Sequence, residues 1–205
     1  MPCPYENIGK SQVKLVAGLG NPGEEYKASR HNVGFLAADR LAGRLGSEMG
    51  ALRAKYKRKY LGAFMVAQLP RGAEVGILKP RTFMNRSGRS VAAAVRDMGV
   101  DFSDLVVVHD DVDLPLGKIR VRFGGGTGGH KGVESIVNSL GNQEFVRLRI
   151  GIDRPGPGDV TDYVLGRFTP AESVILENEV FPKAVDAITV ILEDGPEAAM
   201  NAFNG

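Results

Sequence analysis

The sequence contains almost no cysteine and no long apolar run, and these absences remove several classes of protein. One cysteine, Cys3, lies in the polar start of the chain, so an internal disulfide framework and a cysteine zinc cluster are excluded. Terminal segments are usually mobile, which makes Cys3 unsuitable as a catalytic nucleophile. No segment reaches the roughly 18 consecutive apolar residues of a membrane helix. Because residues 1–12 also lack the apolar core of a signal peptide, we expect a cytoplasmic protein without a membrane partner.

The net charge is close to neutral, +2, but the charges are unevenly distributed. Residues 153–205 hold 3 Lys/Arg against 10 Asp/Glu, a net −7, whereas residues 1–152 hold 23 against 14, a net +9. The basic residues form four clusters: Lys55, Lys57, Arg58 and Lys59; Arg81, Arg86 and Arg89; Lys118, Arg120 and Arg122; and Arg147 with Arg149. A solvated surface explains such clusters, and so does a face that binds a polyanion such as nucleic acid.

Strand and helix patterns alternate along the 205 residues, a length that fits one domain. Apolar runs and alternating patterns predict strands at 14–19, 60–69, 74–79, 105–109, 118–123 and 145–152. Helical spacing predicts a first helix capped by Asn32, then helices at 87–98, 133–140, 171–192 with a kink or break at Pro182, and 196–203. We therefore expect an α/β fold in a single domain, residues 13–205, with a central mixed β-sheet flanked by helices on both faces. Residues 1–12 form an N-terminal extension of unknown role.

The turn after the first strand, Gly18-Leu19-Gly20-Asn21-Pro22-Gly23, matches the dinucleotide fingerprint G-x-G-x-x-G literally. That fingerprint also requires a helix at the turn and, after a second strand, an acid about 20 residues further on. Here a polar stretch follows, and Asp39 lies inside a helical pattern. We therefore expect no nucleotide cofactor, and we expect the turn to present Asn21 at the carboxyl end of the strand, where α/β sheets bind ligands.

Three further polar groups occupy comparable positions, and together they predict hydrolytic chemistry. His31 precedes the first helix, Asn85 lies between a strand and a helix, and Asp110 ends the strand that starts at Leu105. If these strands are neighbours, the three side chains and Asn21 converge on one mouth. A histidine oriented by a carboxylate is a general base for water, and asparagine amides can donate to a carbonyl that gains negative charge. No G-x-S-x-G motif is present, so a serine hydrolase is not supported.

Each of these residues also has a purely structural interpretation. His31 would cap or shield a helix start, and Asn85 would be a turn or cap residue. Asp110, with Asp111, Asp113 and His109, would instead bind a divalent metal. The glycine loop 124–129 would need positive φ angles, or its amides would contact phosphate.

Six ordered motifs resemble the bacterial peptidyl-tRNA hydrolase family and span about residues 14–203. They are Gly18-Leu19-Gly20-Asn21-Pro22-Gly23, Arg30-His31-Asn32, Thr82-Phe83-Met84-Asn85-Arg86-Ser87-Gly88, His109-Asp110-Asp111-Val112-Asp113-Leu114-Pro115, Gly124-Gly125-Gly126-Thr127-Gly128-Gly129-His130 and Arg147-Leu148-Arg149-Ile150-Gly151-Ile152. Six motifs in the family's order are far more specific than any one of them.

The resemblance implies a monomeric esterase that cleaves peptidyl-tRNA without a metal, a cofactor or an obligate protein partner. It implies that His31 is the catalytic base and that Asp110 orients it. It implies that Asn21 and Asn85, with Met84 beside them, hold the peptide and ester region. Tyr26 and Phe83 are further expected substrate contacts. Arg122 and Arg149 match family positions that clamp tRNA phosphate.

One residue departs from the family pattern. Lys131 stands where members commonly have an asparagine assigned to substrate or water, and a lysine cannot accept a hydrogen bond. Lys131 is still an expected substrate contact, because its ammonium group can donate hydrogen bonds. Two other functions stay open at this point: a non-catalytic RNA-binding relative that uses the basic face, and a metal-dependent phosphoesterase that uses His109 and the acids.

Overall fold

The computed structural model describes residues 13–48, 57–69, 71–154, 156 and 159–205. Within them, the strands are β1 (Lys14–Gly18), β2 (Lys57–Lys59), β3 (Gly62–Gln68), β4 (Glu74–Pro80), β5 (Leu105–Asp111), β6 (Ile119–Phe123) and β7 (Val146–Gly151). They form one sheet in the order β2-β3-β4-β1-β5-β7-β6. The predicted extension at residues 1–12 and the basic residue Lys55 lie outside the described residues, so the domain boundary stays a prediction.

The sheet is mixed, as predicted. β1 pairs in parallel with both β4 and β5, and β5 pairs in parallel with β7. β3 is antiparallel to both of its neighbours, β2 and β4, and β6 is antiparallel to β7. The carboxyl ends of β4, β1, β5 and β7 therefore share one edge of the sheet, the edge where ligands bind in α/β folds.

Helices cover both faces of the sheet, which confirms the predicted architecture. Their bounds are α1 (Val33–Glu48), α2 (Ser87–Met98), α3 (Lys131–Leu140), α4 (Val160–Leu165), α5 (Pro170–Ile175), α6 (Phe181–Asp194) and α7 (Pro196–Phe203). One core packs α1, α6 and α7 against alternate strand residues such as Val16 and Val106. The other packs α2 and α3 against the intervening residues, such as Leu15 and Val107. This alternation follows from the period-2 geometry of strands.

Several predicted boundaries differ from the structure for local reasons. The strand predicted from Tyr60 begins at Gly62, because Tyr60 and Leu61 both adopt φ 54° and form the turn between β2 and β3. β5 extends to Asp111, since Asp110 and Asp111 continue to pair with β7. Two short elements, β2 and α4, were not predicted.

The strand predicted to alternate, β7, is in fact buried on both faces. Arg147, which alternation would place in water, is only 3% exposed. Its guanidinium donates to the carbonyl oxygens of Gly126 at 2.5 Å and Gly125 at 2.6 Å, so its buried charge has partners.

The break predicted at Pro182 takes the form of a π-helical turn. That turn, Leu176–Val180, lies between α5 and α6, and Pro182 occupies the first turn of α6. The backbone stays helical through this turn, and the N–H of Phe181 donates to the carbonyl oxygen of Leu176, so Pro182 follows a π-bulge within a continuous helix.

Candidate active site

The start of α1 approaches the sheet backbone to backbone, and glycine makes this approach possible. A Cβ on Gly34 would lie 2.3 Å from the carbonyl oxygen of Val108, and one on Gly18 would lie 2.3 Å from the carbonyl oxygen of Gly34. Leu19 N donates to Val108 O at 2.9 Å, and Phe35 N donates to Leu19 O at 3.0 Å. The 3₁₀ turn that precedes α1, Arg30–Asn32, is therefore fixed beside the carboxyl ends of β1 and β5.

This turn carries His31, and β5 carries Asp110, which is 3% exposed. His31 Nδ1 lies 2.9 Å from both Asp110 Oδ1 and Oδ2. An ionised carboxylate only accepts hydrogen bonds, so Nδ1 carries the hydrogen. Nε2 of a neutral His31 is then a lone-pair acceptor, and it has no partner among the described residues. The structure thus brings His31 and Asp110 together in the geometry of an oriented base.

Asp110 has a second imidazole partner, His130, to which the sequence assigned no role. His130 Nε2 lies 2.9 Å from Asp110 Oδ1. His130 Nδ1 accepts the backbone N–H of Gly132 at 3.1 Å and of Val133 at 3.3 Å, which makes His130 the N-cap of α3. Because Nδ1 accepts, Nε2 must donate, and the tautomer of His130 is fixed by the helix. Its position three residues before the helix predicted at 133–140 was the available sequence clue.

The shared carboxylate stays ionised. Burial alone would raise the pKa of Asp110, but the charges of His130 and His31, and then their hydrogen bonds, lower that pKa below its ordinary value. Asp110 is therefore a fixed anion that can stabilise an imidazolium on His31.

The predicted metal set of His109, Asp110, Asp111 and Asp113 is not assembled. Burial, reinforced by the charge of His130, lowers the pKa of His109 to about 3, and its Nδ1 lies 2.7 Å from the carbonyl oxygen of Asp110. Asp111 forms an ion pair with Arg149, and Asp113 forms one with Arg154, so two of the proposed ligands face cations.

The group in the described chain with metal-like spacing is a different one, His31, Asp110 and His130, whose ligand atoms lie within 4.8 Å of one another. Their contacts are already those of hydrogen bonds, with two N–H groups directed at one carboxylate. A metal bound here would have to replace the hydrogens on His31 Nδ1 and His130 Nε2. His130 would then lose the tautomer that α3 fixes. Hydrogen bonding therefore accounts for this cluster more simply.

A set of amide contacts lies on the other side of the turn. Asn32 Oδ1 accepts the backbone N–H of Asn21 at 2.7 Å, and Asn32 Nδ2 donates to the carbonyl oxygen of Asn21 at 3.0 Å. Asn32 therefore holds the glycine turn and does not cap α1 as predicted. Asn21 Oδ1 accepts the backbone N–H of Met84 at 2.8 Å. This leaves Asn21 Nδ2, which has no partner in the described structure, as a free donor.

The remaining predicted substrate residues differ in exposure. Asn85 is exposed and makes no hydrogen bond with a described residue, so its convergence with the histidines stays a prediction. Phe83 is 56% exposed. Tyr26 is half-buried in the 3₁₀ turn Glu24–Tyr26. Met84 is buried, and its sulfur lies against Gly132 at the start of α3.

A cleft of about 540 Å³ opens beside His31 and His130 at the carboxyl end of β5. Basic side chains line it: Arg122, Arg147, Arg149 and Lys131. Lys131 is exposed and forms an ion pair with Glu134 at 3.3 Å. In the adjoining loop Gly124, Gly125, Gly128 and Gly129 have positive φ angles, which confirms that interpretation of the glycine motif.

The cleft is bounded by α4, which a buried arginine ties to the turn that carries His31. Arg30 is 7% exposed and forms an ion pair with Glu172 at 2.8 Å. Its guanidinium lies 4.5 Å from the ring of Tyr163 in α4 and 5.0 Å from that of Phe168. These contacts hold the segment around α4 against the site.

The fold and this arrangement define a hydrolase-like α/β protein, and comparison with known proteins makes the class specific. The family model for peptidyl-tRNA hydrolase matches residues 15–205. The peptidyl-tRNA hydrolase of Syntrophotalea carbinolica is 46% identical, covering 94% of this chain and 97% of the relative. That of Carboxydothermus hydrogenoformans is 49% identical, covering 93% and 97%. A crystal structure of peptidyl-tRNA hydrolase from Acinetobacter baumannii superimposes with a TM-score of 0.83 at 33% identity, covering 95% of this chain and 96% of that one.

This chain therefore belongs to the peptidyl-tRNA hydrolase family, and the predicted class, an enzyme of that family, is confirmed. Among the described helices, none is long and apolar enough to cross a membrane.

Proposed function

We propose that this chain hydrolyses the ester bond between peptide and tRNA in peptidyl-tRNA, with His31 as the general base. The observation that carries the mechanism is the contact of His31 Nδ1 with both oxygens of Asp110 at 2.9 Å. Family membership supports the substrate.

In this mechanism His31 Nε2 takes a proton from a water molecule that attacks the ester carbonyl. The buried anion Asp110 stabilises the imidazolium that forms, and His130 keeps that carboxylate in place. The protonated His31 then returns the proton to the departing ribose oxygen of the tRNA. Free peptide and free tRNA are the products, and no covalent enzyme intermediate is needed.

The peptide side of the ester is assigned to the amide contacts. Asn21 Nδ2 donates to a substrate carbonyl, because Asn21 Oδ1 is already occupied by Met84 N. Tyr26, Phe83, Asn85 and Lys131 stay proposed substrate contacts. A grip on backbone groups rather than side chains suits an enzyme that releases peptides of varied sequence.

The tRNA side is assigned to the basic cleft, with Arg122 and Arg149 as the phosphate contacts. Arg122 is exposed, and Arg149 lines the same cleft while paired with Asp111. Phosphate contacts give affinity without reading base sequence, and the affinity falls with salt. We propose that the enzyme works as a cytoplasmic monomer, without a cofactor or an obligate protein partner.

The test is cleavage of an N-blocked aminoacyl-tRNA, with a chelator present, by the native protein and by His31→Ala. The native protein should cleave, and the variant should be slower by roughly 10²–10⁴-fold, the contribution of a positioned base. Both should bind tRNA and show the same far-UV circular dichroism. Full activity of His31→Ala would overturn the mechanism. Loss of native activity in chelator would favour the metal-dependent alternative, and tRNA binding without cleavage by either protein would favour the RNA-binding module.

A further inference from the structure

A second hollow, distinct from the histidine cleft, lies at the opposite side of the shared sheet edge. It has a volume of about 430 Å³, and its described lining includes Pro22, Leu61 and Phe83. Three arginines complete it, Arg81, Arg86 and Arg89. These arginines formed one of the clusters in the sequence, and no role proposed above uses them. We name this site the arginine hollow.

Sheet topology places the arginine hollow beside the amide contacts. β4 is parallel to β1, so Arg81 and Phe83 follow β4 at the edge where Asn21 follows β1. Leu61 lies at the same edge because Gly62 pairs with Pro80. The hollow shares Pro22 with the turn that presents Asn21, and Phe83 immediately precedes Met84, whose N–H binds Asn21. The basic cleft lies the other way along the sheet, towards β7 and β6.

The chemistry of the arginine hollow favours an anionic, partly apolar ligand. All three arginines are exposed, and none forms an ion pair with a carboxylate of the described chain. No Asp or Glu occurs among the described lining residues. Leu61 and Phe83 expose 57% and 56% of their surface beside them. Guanidinium groups bind carboxylates in a bidentate manner, so carboxylate side chains on a flexible chain suit the hollow.

We propose that the arginine hollow binds acidic side chains of the substrate's peptide and so gives the enzyme a preference for acidic peptides. This inference rests on the proposed function, in which tRNA occupies the basic cleft. The ester lies at His31, so the two arms of the substrate leave it in different directions. With the tRNA arm towards β7 and β6, the peptide arm passes Asn21 and reaches the hollow. A single strand of RNA is the competing occupant, because arginine and an exposed aromatic ring also suit phosphate and base.

The experiment compares three substrates on the same tRNA. Two carry N-acetylated peptides of about five residues, roughly 17 Å when extended, with either two aspartates or two asparagines at the positions farthest from the ester. The third is an N-acetyl aminoacyl-tRNA, whose acyl group is too short to reach the hollow. The native enzyme should cleave the aspartate substrate with a kcat/KM about two- to tenfold above that of the asparagine substrate, the range of exposed ion pairs. The preference should shrink in high salt.

The double variant Arg86→Gln/Arg89→Gln should abolish this preference and leave the N-acetyl aminoacyl-tRNA unaffected. The matched control is Arg96→Gln, an exposed arginine on the same helix that does not line the hollow. This control removes one positive charge, and it should retain the preference for the aspartate substrate over the asparagine substrate. Thermal unfolding of all variants should match the native protein, because the altered side chains are exposed.

Three outcomes overturn the inference. The first is a native enzyme that cleaves aspartate and asparagine substrates equally well. The second is a double variant that loses kcat/KM equally on all three substrates, which would assign the arginine hollow to RNA. The third is a native enzyme that cleaves none of them, which would show that the proposed function itself has failed.

Discussion

The two halves of the site are fixed by different kinds of contact. On the side of β5 and α3, the carboxylate Asp110 orients two imidazoles, so side chains hold side chains. On the side of β1 and β4, Asn32 and Asn21 bind backbone N–H and C=O groups, so side chains hold the main chain. The first half depends on protonation. The second contains only neutral amides and keeps its geometry at any pH that preserves the fold.

This contrast indicates a division of work within one site. A base must change its proton count in every cycle, and its anionic partner makes that change easier. A binding surface for varied peptides benefits from donors whose positions never change. Variants of the histidine half should therefore lower kcat, whereas variants of the amide half should raise KM.

The largest expected effect belongs to Asp110→Asn. An asparagine offers one acceptor oxygen, which His130 claims because α3 fixes its Nε2 as a donor. The amide Nδ2 of the asparagine then donates to His31 Nδ1. The hydrogen of His31 therefore moves from Nδ1 to Nε2, and Nε2 loses the lone pair that would accept a proton from water. We expect kcat to fall roughly 10²–10⁴-fold with KM nearly unchanged, measured on N-acetyl aminoacyl-tRNA. The control is Asp113→Asn, which changes an exposed acid paired with Arg154 and should have the native kcat. A native kcat for Asp110→Asn as well would contradict the proposed division of work.

The next effect concerns stability and depends on His109. Its pKa is lowered from 6.5 to about 3 in the folded protein, so unfolding takes up a proton at mildly acidic pH. The stabilisation from a neutral His109 is complete above pH 6.5 and is lost as the pH falls towards 3. Between pH 7.5 and 5 the native free energy of unfolding should fall about 2 kcal/mol more than that of His109→Gln, as urea titrations at each pH would measure. Parallel pH dependence in the two proteins would contradict the assignment.

A smaller effect is expected for Asn32→Asp, which breaks the amide half. One carboxylate oxygen still accepts the N–H of Asn21. The other oxygen takes the place of the donor Nδ2, so two acceptors face each other at the carbonyl oxygen of Asn21. The turn that presents Asn21 should shift. We expect KM to rise about tenfold with kcat changed much less, because a lost buried hydrogen bond has roughly that value. A fall in kcat at unchanged KM would place Asn32 with the histidine half instead.

The smallest effect is expected for Lys131→Asn, which restores the residue common in the family. Lys131 is exposed, and its ion pair with Glu134 at 3.3 Å contributes little. We expect kcat/KM to change less than about threefold, within the range of one exposed contact. A gain of tenfold or more in steady-state assays would show that the lysine limits this enzyme.

The elements long enough to show a local pattern were predictable, and two of the shortest elements were not. Apolar runs such as Leu105–Val108 and the helical spacing of α2 predicted their elements well. β2 and α4 were missed because they have three and six residues, too few for a periodic pattern.

The same limit applies to the site. His31 and Asp110 were predicted from a residue pair with known chemistry, and the structure brings them together. Asn32 and His130 were missed in their present roles because each contacts a segment distant in sequence, the turn at Asn21 and the end of β5, whose approach local pattern does not show. Asn85 was predicted to converge on the site from its place between a strand and a helix. The 3₁₀ turn Met84–Arg86 buries Met84 and exposes Asn85, so the contact of Asn85 with substrate stays a prediction.

The most direct test of the division of work is single-turnover cleavage of N-acetyl aminoacyl-tRNA by His31→Ala and Asn21→Ala, with enzyme in excess. We expect His31→Ala to bind substrate with native affinity and to cleave it roughly 10²–10⁴-fold more slowly. We expect Asn21→Ala to bind more weakly and, once saturated, to cleave at a rate within about tenfold of the native enzyme. Weakened binding by His31→Ala with a native saturated rate, or the reverse pattern for Asn21→Ala, would contradict the account.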